Sequence, residues 1–237
     1  MMQTADENQE SLAAYPRLLL DDLAASEPPL PAVFHESFPS HFVGRRSSGV
    51  WPDHSDNPAA VSAYREGYSA LHTQKDIVAA IRAYEEALEH DPMYFRAWVD
   101  LGIACVMDNT AESLDRAEGI FAYLCGIEPD GVWLTQEVAS ILHQNLGYLR
   151  LVRYRRTRDR AYLGLADAEY QRADGLAEQQ RIELLCPWVF VKLELGEKES
   201  AQALWDRATH AAKADRGILA EYAAKYAPLR MFLGERG

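Results

Sequence analysis

The chain is poor in features that define several protein classes. Three cysteines in 237 residues, Cys105, Cys125 and Cys186, lie far apart with no C-x-x-C pair. That spacing excludes a disulfide scaffold and predicts reduced, buried thiols. The longest uninterrupted apolar run, Leu184–Val191, is eight residues long and contains Pro187, against roughly 20 needed to cross a bilayer. Basic residues are in deficit: 24 Lys and Arg against 36 Asp and Glu leave a net charge of −12. A field of that sign repels phosphates, which argues against a general binder of nucleic acid or anionic membranes. The start of the chain is acidic where a secretory signal is basic, so we expect no signal peptide, no membrane association and a cytoplasmic location.

Recognisable chemistry is also scarce. Seven histidines (His35, His41, His54, His72, His90, His143, His210) form no H-E-x-x-H or comparable ligand set, and they read as surface or capping residues. Gly44-Arg45-Arg46-Ser47-Ser48-Gly49 has the glycine spacing of a phosphate loop, but Val50 stands where a lysine must reach the phosphates. Glu85, Glu86 and Glu89 lie opposite an apolar face and read as a solvated surface rather than an acid/base pair. No nucleophile motif such as G-x-S-x-G is present. We therefore assign no catalytic residue, metal or cofactor, and expect a protein that is not an enzyme.

Proline is scarce only beyond residue 60: seven of the eleven prolines fall in residues 1–60, with nine acidic and three basic residues and the isolated aromatics Phe34, Phe38, Phe42 and Trp51. Residues 1–59 are expected to form a flexible, acidic, proline-rich arm, largely irregular. Glu10–Ala25 alone has an amphipathic pattern, through Leu12, Tyr15, Leu19 and Leu23, interrupted by Pro16. Phe34–Phe38 reads either as a segment packing on the body or as a linear motif.

Past Ala59, apolar residues recur every three or four positions, and no strand-like alternation is found; the body over 60–237 reads as all-α. Tyr64, Tyr68 and Leu71, a turn at Gln74-Lys75-Asp76, then Ala80, Tyr84, Ala87 and Leu88 lead to Asp91-Pro92. The same order returns as Trp98, Leu101, Gly102 and Cys105, a turn near Asp108-Asn109-Thr110, then Ala117, Phe121, Leu124 and Pro129. Two weaker units follow. Val132–Arg153 pairs with Ala161–Ala173, and Ile182–Leu195 turns at Gly196 into Ala201, Trp205 and Ala208. Pro187 predicts a kink or a helix starting there.

Trp98-x-x-Leu101-Gly102 followed by Ala117, Phe121 and Pro129 resembles the tetratricopeptide repeat family, built from 34-residue helical hairpins. The resemblance covers residues 60–215. It implies an α-solenoid of about four helix-turn-helix hairpins, over 60–93, 94–129, 130–176 and 177–213, with a capping helix over 216–234. Small residues let paired helices approach, and Tyr84, Trp98 and Phe121 fill the gaps between them. The first unit departs from the pattern: Tyr68 falls at the usual small position, unless the turn is one residue short and Gly67 takes that role.

By family position, the resemblance implies a partner-binding groove lined by Arg96, Val99, Asp100, Ile103 and Met107, and by Gln144, Asn145, Tyr148 and Leu151. Some members of the family clamp the terminal carboxylate of chaperone tails with an asparagine where this chain has Asp100, whose carboxylate repels such a ligand. The chain also concentrates six arginines, Arg150, Arg153, Arg155, Arg156, Arg158 and Arg160, in eleven residues. One reading is structural, with the run offsetting a helix C-terminal dipole and pairing with the acidic body. The other is an anion patch for an acidic peptide or helix. The expected function is a non-catalytic scaffold or adaptor holding a peptide or helix of a partner protein. The alternatives are a cytosolic chaperone for a secreted or membrane client, and a signalling regulator sensing a peptide or small ligand.

Overall fold

The computed structural model of the chain describes residues 55–126, 136–178, 180–212 and 219–220. The expected arm lies outside these residues except at 55–59, Pro129 lies outside them, and of the expected capping helix only Leu219 and Ala220 fall within them. The described residues form eight α-helices, one π-helical turn and no strand. The chain divides into two compact units at Thr135–Gln136.

The first unit holds α1 (Pro58–Ser69), α2 (Ile77–His90), α3 (Phe95–Asp108) and α4 (Ala111–Gly126), each packed on the next. Pro58 opens α1 where its missing N–H costs nothing, and Asn57 caps the helix by accepting from Ala59 N at 3.0 Å. Asn57 Nδ2 also donates to His90 O at 2.9 Å, and the Ser55 hydroxyl donates to Asp91, so residues 55–57 are tied to the end of α2. The second unit holds α5 (Gln136–Thr157), α6 (Ala161–Leu176), α7 (Ile182–Leu195) and α8 (Lys198–Ala211), again packed in sequence.

Each turn within a helix pair uses one left-handed residue: Lys75, Asn109, Arg158 and Gly196. In the first, the alternative of a turn one residue short is corrected: the π-helical turn Ala70–Gln74, wider than an α-helical turn, precedes the reversal at Lys75. Gly67 takes the small position, while Tyr68 faces outward and packs its ring, tilted, against His72 at 4.1 Å between ring centres. α7 runs continuously through Pro187 from Ile182, so it does not start at the proline.

Glycines set the approach of three pairs. A Cβ on Gly67 would lie 2.7 Å from the Tyr84 ring, on Gly102 2.8 Å from Phe121, and on Gly147 3.1 Å from Tyr170. All three rings are fully buried. On the second helix of every pair the same spacing recurs: Ala80/Tyr84/Ala87, Ala117/Phe121/Leu124, Ala166/Tyr170/Ala173 and Ala201/Trp205/Ala208. The alanines are solvent-free, and of the aromatics only Trp205 is half-buried. Trp98, expected to fill a core gap, is also half-buried, and its Nε1 donates to Pro92 O at 3.0 Å. Cys105 and Cys186 lie in the core and Cys125 is half-buried. Burial pushes the Cys105 thiol up to about 12 and raises that of Cys186 too.

Gly102→Ala is expected to destabilise the chain by about 1–3 kcal/mol, because the Phe121 ring has nowhere to move. Gly164→Ala, with nothing within 4 Å, is expected to stabilise it by about 0.5–1 kcal/mol. Urea titrations of the two variants check both signs. An alkylating reagent at neutral pH is expected to modify Cys125 in the native chain, with Cys105 and Cys186 reacting only on unfolding; peptide mass mapping reads the order.

Candidate functional site

In the first unit, the residues expected to line a groove start one per turn along α3. Arg96 is half-buried, while Val99, Asp100, Ile103 and Met107 are buried. Asp100 is solvent-free and accepts a hydrogen bond from the Tyr64 hydroxyl at 2.5 Å. The Arg96 guanidinium lies over the Tyr64 ring, 5.8 Å from its centre. Tyr64 in turn packs against Tyr84 and Tyr94, at 5.7 and 5.0 Å between ring centres. Burial first, and then the Asp100 carboxylate, raise the Tyr64 and Tyr84 phenols far above their ordinary value. Tyr64 therefore stays protonated and donating, and one oxygen of Asp100 is committed to α1.

In the second unit, Gln144, Asn145, Tyr148 and Leu151 are all buried on α5. Leu151 belongs to the apolar core it shares with Leu163, Ala166, Tyr170, Leu185 and Val189. Gln144 Oε1 and Asn145 Nδ2 are enclosed without a hydrogen-bond partner. Every residue from Leu142 to Leu149 is buried, so this helix is covered around its circumference rather than on one stripe.

The six arginines sit at the end of α5 and the corner that follows. Arg150, Arg153, Arg155 and Arg156 are half-buried, and Arg158 and Arg160 are exposed. Arg155 and Arg156 occupy the last turn of α5, where they complement the helix dipole. The Arg153 and Arg158 guanidinium groups each lie 5.9 Å from the centre of an aromatic ring, of Tyr162 and Tyr154 respectively. Arg160 Nη2 donates to Glu194 O at 3.1 Å, and the Tyr154 hydroxyl donates to Glu194 Oε2 at 2.5 Å. The corner is shaped by Thr157 Oγ1, which donates to Arg153 O at 2.9 Å, and by Asp159, which accepts from Ala161 N at 2.9 Å.

Sequence reasoning missed a set of buried polar pairs. His143, read as a surface or capping residue, is buried with its Nδ1 2.8 Å from Glu169 Oε2. One helix further on, Asp167 receives Trp188 Nε1 at 2.7 Å and Lys192 Nζ at 2.8 Å. Burial alone would lower the Lys192 pKa, but its hydrogen bonds to Asp167 and Glu197 outweigh that and raise it. The pairs join residues 21 to 26 positions apart. The only sequence signal was a polar side chain recurring at an otherwise apolar helical position.

Among the described residues no group of His, Cys, Asp and Glu is placed to hold a metal ion, and no helix is long and apolar enough to cross a membrane. No protein-family model matches the chain, and no curated protein matches it.

Tyr64→Phe is expected to cost about 1–3 kcal/mol at neutral pH, because it leaves the buried Asp100 without that donor. A phenol whose pKa is higher in the fold than in the unfolded chain contributes fully below the unfolded value, and its contribution falls as pH rises through about 10. Stability is therefore expected to decline above about pH 10, and less steeply in Tyr64→Phe. Urea midpoints measured on both chains from neutral to alkaline pH check the difference in slope.

Proposed function

We propose that the chain is a non-catalytic interaction module of the tetratricopeptide type, acting in the cytoplasm as an adaptor or assembly factor. Its helix pairs are read as solenoid hairpins, with α1 and α3 in the first unit, and α5 and α7 in the second, as the helices that present a binding face to a peptide or helix of a partner protein. The observation that carries the reading is the repeated closure of one helix on the next. An alanine, an aromatic and a second small or apolar residue recur at one spacing on α2, α4, α6 and α8, and three of the rings lie against a glycine of the preceding helix. A recurring hairpin that cannot bury its apolar face alone, and stacks to do so, is the physical unit of such solenoids.

The half-buried arginines at the end of α5 suit a partner segment that brings carboxylates. A guanidinium fork takes a carboxylate bidentately, and rim charges steer the approach of an acidic segment. A photo-crosslinking amino acid at Arg96 or Arg155 of the full chain, irradiated in native lysate, is expected to trap a protein partner. The same group at Gln171, on the exposed side of α6, should not trap it. No protein trapped from either groove position, together with turnover of a substrate by the purified chain, would overturn the reading.

A further inference from the structure

The covering of α5 points to an occupant from within the chain. Toward α6 and α7 the helix presents Ser140, whose hydroxyl donates to Ala173 O, then His143, Gly147, Leu151 and Tyr154. At about 100° per residue, Gln144, Tyr148, Val152 and Arg155 form the adjacent stripe. It begins with amides and an aromatic ring and ends in the arginine cluster. Gln144, Asn145, Tyr148 and Val152 are at most 5% exposed, and Gln144 Oε1 and Asn145 Nδ2 have no hydrogen-bond partner. A stripe so enclosed is already covered by other residues of the chain, and its two partnerless polar atoms call for backbone donors and acceptors from whatever lies over it.

We propose that the acidic segment Asp6–Glu27 of the same chain docks along this stripe and masks it. Charge selects this occupant. The segment carries Asp6, Glu7, Glu10, Asp21, Asp22 and Glu27 against a single Arg17, and the stripe runs into six arginines. Its apolar side chains, Leu12, Tyr15, Leu19 and Leu23, match the Tyr148 and Val152 portion, and its carboxylates meet the guanidinium forks. Reach is no obstacle: the 27 residues 28–54 extend to roughly 90 Å, several times the radius of about 18 Å expected for a folded chain of this length. The consequence is autoinhibition, in which a partner must displace the arm before it reaches α5. This deepens the proposed function and rests on it for the identity of the competing ligand, but the docking itself stands or falls alone.

Hydrogen exchange on the full chain, with mass-spectrometric readout, tests it. In the wild type, amides of residues 6–27 are expected to exchange at least about tenfold more slowly than in the urea-unfolded chain. Arg155→Glu with Arg156→Glu should abolish that protection, as should Asp21→Lys with Asp22→Lys, and the four substitutions combined should restore most of it. Unprotected residues 6–27 in the wild type would overturn the proposal. So would protection indifferent to either reversal, or protection that grows with protein concentration, which would mean an arm from a second copy. If the arginine reversal lowers helicity, raising salt to about 0.5 M in the wild type replaces it and must release the arm, since exposed charges are then screened within a few ångströms. An arm found unprotected in a chain that still traps a partner at Arg96 or Arg155 overturns the docking and leaves the proposed function standing, so the two readings fail separately.

Discussion

The contact on which both units depend is an aromatic ring laid against a helix backbone at glycine. Tyr84, Phe121 and Tyr170 each occupy the space where a Cβ on Gly67, Gly102 or Gly147 would stand. The ring fills the interior with little side-chain entropy lost, and the missing Cβ lets the two helix axes come close enough for the flanking alanines to be solvent-free. Everything else in a pair is arranged around that approach. The π-helical turn at Ala70–Gln74 keeps Gly67 rather than Tyr68 under the ring, and the left-handed residues reverse the chain into the second helix. The fourth pair lacks the glycine, since none stands in α7, and there the aromatic at the matching place, Trp205, is half-buried.

Around this apolar frame the interior carries more charge than a simple bundle requires. Asp100, Glu169 and Lys192 are all buried, and each has a partner on a neighbouring helix: Tyr64, His143 and Asp167. A buried charge is tolerated only when it is paired and hydrogen-bonded, so these contacts stand or fall together. α6 is joined on both sides, through Glu169 to α5 and through Asp167 to α7. The arginine corner follows the same economy. Arg158 and Arg160 use their guanidinium groups on an aromatic ring and a carbonyl, while Arg155 and Arg156 sit at the negative end of the α5 dipole.

Much of this was legible in the residues. Period three-and-four spacing over 60–211 marked the helices, and the turn residues marked their ends, because those signals are local. Tyr84 and Phe121 stood out by helical spacing and by the repeat resemblance, and the repeated pattern led to the pairing of consecutive helices. The burial of the expected groove residues was not legible. Gln144, Asn145 and Tyr148 were placed on an open groove by family position, yet α5 is enclosed on all sides. His143 escaped notice for a related reason. A lone histidine within a helix has no local mark distinguishing a capping position from a buried partner of a carboxylate 26 residues away.

The sequence by itself determined that the described chain is helical, where its helices turn, and which residues of the second helix in each pair face inward. Those properties follow from backbone preference and from a hydrophobic period that any one segment displays. Only the tertiary structure decided which glycine lies under which ring, that Ala70–Gln74 forms a π-helical turn, and which buried charges meet. Those outcomes depend on the close approach of elements distant in sequence, where a few tenths of an ångström separate contact from clash and a buried carboxylate from a satisfied one.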